Sequence, residues 1–257
     1  MLESELQLRK QLASMLPMKK EGSSESEKPI EGLNLARHSF MVGYHSSLKA
    51  ERVDIPFLFQ NTSPNQFGFM LEGAGMALTL LDEMNNSEKR YLPTLFSGRP
   101  TSELKLCAIG VGWASARLSK PIEWRPKGIS IKWIPAISNG YGFHEGIFNP
   151  ERFSSNSFFY VDEEFQEYFD IGLGRALWFN LEGQVEPIAE IINNLKPSRQ
   201  GSMWKGIGVA CAFNGSNEKK SILQKISSPY ESYLVLGFEM ADNLKQGLIT
   251  STQSNKY

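Results

Sequence analysis

Glycines recur along this chain at nearly regular intervals, each surrounded by the same classes of residue. The repeating positions are Gly43, Gly73, Gly110, Gly140, Gly172, Gly206 and Gly237. An apolar residue or cysteine stands three positions before each glycine, and the residue four positions after it is small in every copy but one, where it is His144. The five central copies carry a second glycine two positions on. A period of about 32 residues is typical of repeat proteins.

The spacing within each copy indicates helices rather than turns, because positions −3, 0, +1 and +4 around the glycine fall on one helical face. A glycine inside a helix costs about 1 kcal/mol relative to alanine. The close approach of two helix backbones would offset that cost. The sequence therefore predicts an all-α fold of repeated helical hairpins, in which about seven glycine-striped helices form a curved or closed α-solenoid. An ordinary bundle of seven helices is the alternative.

Composition separates a central body from two ends. Residues 3–15 can form an amphipathic helix, but residues 19–28 are almost wholly charged residues, serine and glycine. Such a segment buries too little apolar area to offset its ordering entropy. We expect an N-terminal helical arm, loosely attached, and a disordered linker over residues 1–31, a helical-repeat domain over 32–245 and a flexible tail over 246–257.

Charge and hydropathy exclude several classes of protein. The 27 Lys plus Arg residues balance 28 Asp plus Glu residues, which argues against a polybasic nucleic-acid-binding device. No apolar run approaches the roughly 18 residues of a membrane span, and the N-terminus is charged where a signal peptide is apolar. We expect a cytoplasmic protein with no nucleic-acid partner and no membrane span. Cys107 and Cys211 lie in small, apolar segments and are expected to be reduced core thiols.

Five charged or titratable residues interrupt the repeat where other copies are mostly apolar or small. They are Glu72, His144, Glu145, Asp170 and Arg175. Burying a lone charge costs free energy, so these groups must pair with one another or line a water-filled cavity. We interpret them as a catalytic cluster, with His144 as a proton-transfer candidate, Arg175 as an anion clamp and the carboxyl groups as acids or bases. The alternative is that Asp170 and Arg175 form a structural ion pair and His144 is a satisfied core histidine.

Aromatic residues accompany the same helices and suit a cavity for an apolar, extended ligand. The substrate-binding candidates are Trp113, Tyr141, Phe143, Trp178 and Trp204, and Phe179 belongs to the same group. The alternative is that these side chains only form core.

No motif indicates a metal or cofactor. The histidines lack metal-ligand spacing. The G-x-G segments lack the last glycine of a dinucleotide fingerprint, and no G-x-S-x-G nucleophile motif occurs. We therefore expect neither a metal nor a cofactor.

Two segments carry a resemblance to a known family. They are Gly-Tyr-Gly-Phe-His-Glu-Gly at residues 140–146 and Gly-Leu-Gly-Arg-Ala-Leu-Trp-Phe at residues 172–179. Together with the other glycine copies, they resemble a bacterial family of unknown function whose members are often described as enediyne biosynthesis proteins. The resemblance extends from about residue 33 to 245. It implies an association with polyketide-derived natural-product pathways and assigns no catalytic residue.

Two functions are compatible with these observations. The first is an accessory protein of bacterial secondary-metabolite biosynthesis, of enediyne or polyketide type, that binds and in one version cyclises or tailors a hydrophobic polyene-like intermediate. Its partners would be that small molecule and a biosynthetic enzyme. The second is a non-catalytic helical-repeat scaffold that binds a partner protein. The sequence does not distinguish catalysis from binding. The charged and titratable residues on the glycine-bearing helices favour the first function.

Overall fold

The computed structural model describes residues 3–16, 28–49, 62–85, 88–155, 161–214, 219–226 and 228–254. Every regular element in these ranges is a helix, which confirms the predicted all-α class. The long helices are α1 (Glu3–Met15), α2 (Lys28–Lys49), α3 (Pro64–Met84), α4 (Thr101–Arg117), α5 (Ile134–Phe148), α6 (Glu163–Asn180), α7 (Pro197–Phe213) and α8 (Glu231–Ser254). Between them lie short helices at Leu92–Leu95, Glu151–Ser155, Val185–Asn193 and Lys219–Leu223, and 3-10 turns at Ile131–Trp133 and Ser228–Tyr230.

The repeating glycines lie one in each of helices α2 to α8, where each helix meets the backbone of a neighbour. A Cβ atom on Gly110 would overlap the Glu72 carbonyl of α3, and one on Gly112 would overlap the Ile137 carbonyl of α5. The same register recurs in later helices, where the repeating glycine of one helix faces the residue just before the repeating glycine of the preceding helix. The pairs are Gly140 with Ile109, Gly172 with Asn139, Gly206 with Ile171 and Gly237 with Lys205. Absent side chains let Cα–H groups contact carbonyl oxygens directly, which contributes stabilisation against the low helix propensity of glycine.

Long helices that follow one another in sequence are also neighbours in space. From α3 to α7, each packs chiefly on the long helix before it and the one after it, and α8, which packs on α7, also contacts α3 and α4. The last helix therefore returns to two early helices, α3 and α4. Cys107 and Cys211 are both buried thiols in the core, and burial raises the pKa of the Cys107 thiol to about 12.

The N-terminal helix packs closely against the body, in contrast to the expected loosely attached arm. Leu12 is fully buried, and its carbonyl accepts a hydrogen bond from the Tyr44 hydroxyl at 3.0 Å. The Arg9 guanidinium donates to the Leu48 carbonyl at the end of α2. Apolar contact and hydrogen bonding together hold α1, which its sequence alone does not reveal.

The boundaries of the ends also differ from those expected. Residues 17–27 of the predicted linker lie outside the described residues, whereas α2 already begins at Lys28. Helix α8 continues to Ser254, well into the predicted tail. Leu248 lies within that extension and is fully buried, so an apolar anchor holds the last turns. No helix in the described ranges combines the length and apolarity that crossing a bilayer requires.

Candidate ligand-binding site

A cavity of about 290 Å³ lies among helices α3 to α8, and each of these helices contributes to its wall. The lining is mostly apolar, and its aromatic members are Phe69, Trp133, Tyr168, Phe179 and Phe213. Pockets for small molecules typically measure about 300–1,000 Å³ and are largely apolar with a few polar groups. The cavity is therefore at the small end of the range for ligand sites.

Equivalent positions of the repeat line the cavity. Counted from the repeating glycine, position −1 contributes Glu72, Ile109, Asn139 and Ile171, and position −4 contributes Phe69, Leu106, Ala136 and Tyr168. Position +3 contributes Arg175, Val209 and Met240, and position +7 contributes Phe179, Phe213 and Leu244. Offsets of −4, −1, +3 and +7 share one helical face. Successive helices thus turn overlapping parts of the same face toward the cavity.

Three buried polar side chains form a network in the cavity wall. Arg175 donates from Nη2 to Glu72 Oε1 at 2.8 Å and from Nη1 to Asn139 Oδ1 at 2.7 Å. Its guanidinium carbon lies 4.5 Å from the centroid of the Phe143 ring, which is suitable for a cation–π interaction. Sequence reasoning identified Glu72 and Arg175 but not Asn139, although all three occupy positions where most copies are apolar.

Burial and pairing have opposite effects on Glu72. Burial raises the pKa of the Glu72 carboxyl, and the neighbouring Arg175 partly opposes this rise. The second carboxyl oxygen, Oε2, is buried and has no hydrogen-bond partner among the described residues. A buried acceptor without a partner costs about 1–3 kcal/mol. Oε2 can therefore gain stabilisation from a ligand that offers a hydrogen-bond donor.

Two lysines line the same cavity, and neither was predicted from the sequence. Lys105 is half-buried and Lys132 is exposed. The Lys132 ammonium lies 5.0 Å from the centroid of the Trp133 ring. Burial lowers the pKa of the Lys105 ammonium. Lys105 lies at position −5, four residues before the cavity-lining Ile109 at position −1, so a search along this face would have found it.

His144 and Glu145 lie outside the cavity lining, contrary to the single cluster expected. The His144 ring lies 4.6 Å from Phe148 and 5.9 Å from Trp113, measured between centroids. Neither ring nitrogen has a hydrogen-bond partner among the described residues, and Glu145 Oε1 is 3.5 Å from Nδ1. Glu145 Oε2 accepts a hydrogen bond from Arg152 at 2.9 Å.

Asp170 belongs to a third, separate group. Its Oδ2 accepts a hydrogen bond from Arg199 Nε at 3.0 Å, and Oδ1 accepts one from Gln166 at 2.9 Å. Burial raises the pKa of Asp170, and the Arg199 guanidinium opposes that rise. Asp170 therefore forms a structural ion pair, but its partner is Arg199 rather than Arg175.

The predicted aromatic binding residues are also located away from the cavity lining. Trp113 packs on Phe143, and Trp178 and Trp204 are almost completely buried. Tyr141 lines a different, more open pocket of about 260 Å³. Of the ten predicted site residues, all within the described ranges, Glu72 and Arg175 alone line the main cavity. Phe179, which the sequence placed in the same aromatic group, lines it as well.

No set of three or more His, Cys, Asp or Glu side chains within the described part of the chain is arranged to hold a metal ion.

Comparison with known proteins identifies a family. The family described as "Protein of unknown function (DUF1702)" has a sequence model that matches residues 8–255. No curated protein and no solved structure matches the chain. The family match covers nearly the whole sequence and confirms the predicted resemblance to a family of unknown function.

Proposed function

The chain belongs to the DUF1702 family of proteins of unknown function, and from this premise we propose that it binds an apolar, extended small molecule in the cavity between α3 and α8. Glu72 and Arg175 orient that molecule. In this proposal the protein is an accessory component of bacterial secondary-metabolite biosynthesis, and its ligand is a polyene-like intermediate of enediyne or polyketide type. The pathway assignment depends on the resemblance of the glycine-rich segments at residues 140–146 and 172–179.

One observation carries the binding proposal: a mostly apolar cavity that contains a buried, charged network. Glu72 is 2% exposed and Arg175 is 5% exposed. A buried ion pair is often no more stabilising than apolar residues of the same volume. A role beyond stability therefore explains why these groups occur at positions that are apolar in most other copies.

The geometry separates the tasks of the two residues. Arg175 donates to both Glu72 Oε1 and Asn139 Oδ1, so it holds the carboxyl group in place. Glu72 Oε2 lacks a partner among the described residues and is the atom that would meet the ligand. The proposal concerns binding and orientation. Catalysis would require, in addition, that Glu72 pass a proton to the ligand through Oε2.

We also propose that α2 to α8 form a curved array of repeats that encloses the ligand. Support comes from the glycine register, which recurs from α3 to α8, and from the contacts of α8 with α3 and α4. Repetition of one packing geometry gives each helix the same rotation relative to the previous one, which generates curvature. Equivalent positions then converge on one internal space.

A binding assay with a neutral apolar fluorophore, N-phenyl-1-naphthylamine, tests the proposal. Ala136 lines the cavity and is 5% exposed, so Ala136→Trp fills much of the space. Leu236→Trp adds the same ring at a position that is 45% exposed and serves as the control. We expect the wild type and Leu236→Trp to bind the probe, and Ala136→Trp to bind it at least tenfold more weakly while keeping its helical circular dichroism.

Equal binding by a folded Ala136→Trp variant would contradict the cavity as the site. Mass spectrometry of the purified protein under native conditions gives a second readout, because a co-purified apolar molecule would be displaced by the probe. A wild-type protein that binds no probe and releases no small molecule would instead favour the scaffold alternative.

A further inference from the structure

The cavity has a closed side and an open side. Glu72 and Arg175 lie on the closed side, where both are almost fully buried. The lining residues that remain partly or fully exposed are Lys105, Lys132, Pro135, Tyr168, Met240 and Leu244. Access from solvent passes these six residues, two of which are lysines.

Charge is balanced on the closed side but not on the open side. Arg175 and Glu72 form a pair with a separation of 2.8 Å, so their net charge is zero. Lys105 and Lys132 have no carboxylate partner among the residues that the structure describes, and the Lys132 ammonium lies over the Trp133 ring. The open side of an otherwise apolar cavity therefore carries two positive charges.

Several buried or half-buried cations pair with a carboxylate, whereas Lys105 has no such partner among the described residues. Arg9 pairs with Glu5, Arg99 with Glu103 and Arg199 with Asp170. A half-buried ammonium loses part of its hydration without gaining an opposite charge in return. An anion bound at the open side would supply that charge, and the low dielectric of the cavity wall would strengthen the interaction.

We infer that the natural ligand is an amphipathic anion, with an anionic headgroup bound by Lys105 at the open side of the cavity and an apolar chain that extends inward and ends in a hydrogen-bond donor facing Glu72 Oε2. This inference rests on the proposed function and specifies its ligand class. Lys132 adds positive potential at the rim, where it helps to attract the headgroup. A carboxylate and a phosphate ester share the chemistry that Lys105 recognises, since an ammonium binds either as a point charge.

Displacement of the neutral fluorophore by three ten-carbon competitors tests the inference. Decanoate and decyl phosphate carry an anionic headgroup, whereas 1-decanol has the same chain without the charge. We expect wild-type protein to bind at least one of the anions about tenfold or more tightly than 1-decanol. The anion that binds more tightly identifies the headgroup as carboxylate or phosphate.

Lys105→Met keeps the length and apolar stem of the side chain but removes the charge. We expect this variant to lose the preference for the anion while its affinity for 1-decanol and for the fluorophore is unchanged, and Lys105→Arg to restore the preference. Lys120→Met is the matched control, because Lys120 is also half-buried but lies over the Trp124 ring, 5.2 Å from its centroid, rather than in the cavity lining.

The outcomes separate this inference from the proposed function. Equal affinity of the wild type for the anions and 1-decanol, or a full preference retained by Lys105→Met, would overturn the anion site and leave the apolar cavity standing. Failure of the fluorophore to bind the wild type, or equal binding by wild type and Ala136→Trp, would instead overturn the proposed function.

Discussion

Arg175 on α6 donates a hydrogen bond to Glu72 on α3 at 2.8 Å, although the two residues are 103 positions apart in the sequence. The bond joins two helices that are not consecutive and crosses the wall of the cavity. Arg175 also binds Asn139 on α5, so a single guanidinium connects three helices. The Glu72–Arg175 pair therefore links α3 to α6 and also forms the polar part of the proposed ligand site.

Removal of the Arg175 charge should destabilise the fold strongly. In Arg175→Met, the Glu72 carboxylate is left buried without its counterion, and loss of one partner of a buried pair typically costs about 3–5 kcal/mol. Urea denaturation measures the loss in free energy of unfolding. The double variant Glu72→Leu/Arg175→Met should recover most of it, since neither charge remains. A double variant as unstable as Arg175→Met would contradict this account of the pair.

The pH dependence of stability should carry the signature of Glu72. Burial raises its pKa in the folded protein above the ordinary value of 4.5, so the unfolded chain releases this proton at a lower pH than the folded protein. As pH rises from 4.5 through the folded pKa, the unfolded state binds fewer protons, and the free energy of unfolding contributed by this group falls. Glu72→Gln, which does not ionise, lacks this contribution.

The measurement is the difference between the unfolding free energies of wild type and Glu72→Gln across that pH range. The difference should decrease as pH rises, while contributions from Asp170 and other carboxyl groups cancel between the two proteins. A flat difference would show that Arg175 fully offsets the effect of burial on this pKa, and a rising one that it outweighs burial; either would contradict the prediction.

Alanine substitutions should distinguish the glycines at helix contacts from a glycine in ordinary packing. A Cβ on Gly110 would overlap backbone atoms of Glu72 and Met76, so Gly110→Ala must push α3 and α4 apart and should cost about 1–3 kcal/mol. Gly68 is the control, because its Cβ would lie 3.4 Å from the nearest atom, Leu106 Cδ1. Gly68→Ala should be neutral or stabilising by up to about 1 kcal/mol. Thermal and urea unfolding of both variants measure these changes in stability. Similar losses in Gly110→Ala and Gly68→Ala would contradict the special role of the glycines at helix contacts.

His144→Phe should leave stability unchanged or increase it. The His144 ring is 5% exposed, packs near Trp113 and Phe148, and has no hydrogen-bond partner for either nitrogen among the described residues. Phenylalanine removes polar atoms whose burial costs about 1–3 kcal/mol and keeps the ring. Fluorophore binding should also be unchanged, because His144 does not line the cavity. A tenfold loss of binding in a folded His144→Phe protein would show that His144 contributes to the ligand site.

Arg9→Ala should release the N-terminal helix from the body. Arg9 donates to Glu5 Oε1 at 2.9 Å and to the Leu48 carbonyl at 2.8 Å, and its guanidinium carbon lies 4.8 Å from the Tyr91 ring centroid. Hydrogen exchange should accelerate in α1 with little change in α4 to α7. Lys10→Ala alters the adjacent, exposed residue and should leave exchange unchanged. Equal protection of α1 in both variants would argue against this anchoring role.

Local sequence was sufficient to predict that helices contain Gly110 and its equivalents. Helical periodicity depends on residues within a few turns, and the low propensity of glycine implies a compensating contact. The prediction was less successful for the ends, because Leu12 and Leu248 are stabilised by contacts with helices distant in sequence. Glu72 and Arg175 were identified because they stand at positions that are apolar in most other copies.

The sequence by itself determined the all-α class, the placement of a repeating glycine in each of α2 to α8 and the unusual polarity of Glu72 and Arg175, since these follow from local periodicity and comparison among the copies. Tertiary structure decided which polar groups meet. Positions −1 and +3 turn toward the cavity in several helices, so Glu72 and Arg175 pair there, whereas the side chains of His144 and Asp170 do not line it. The partner of Asp170 is Arg199, on α7. The direction of a side chain relative to distant helices depends on how all the helices pack, and no local pattern encodes it.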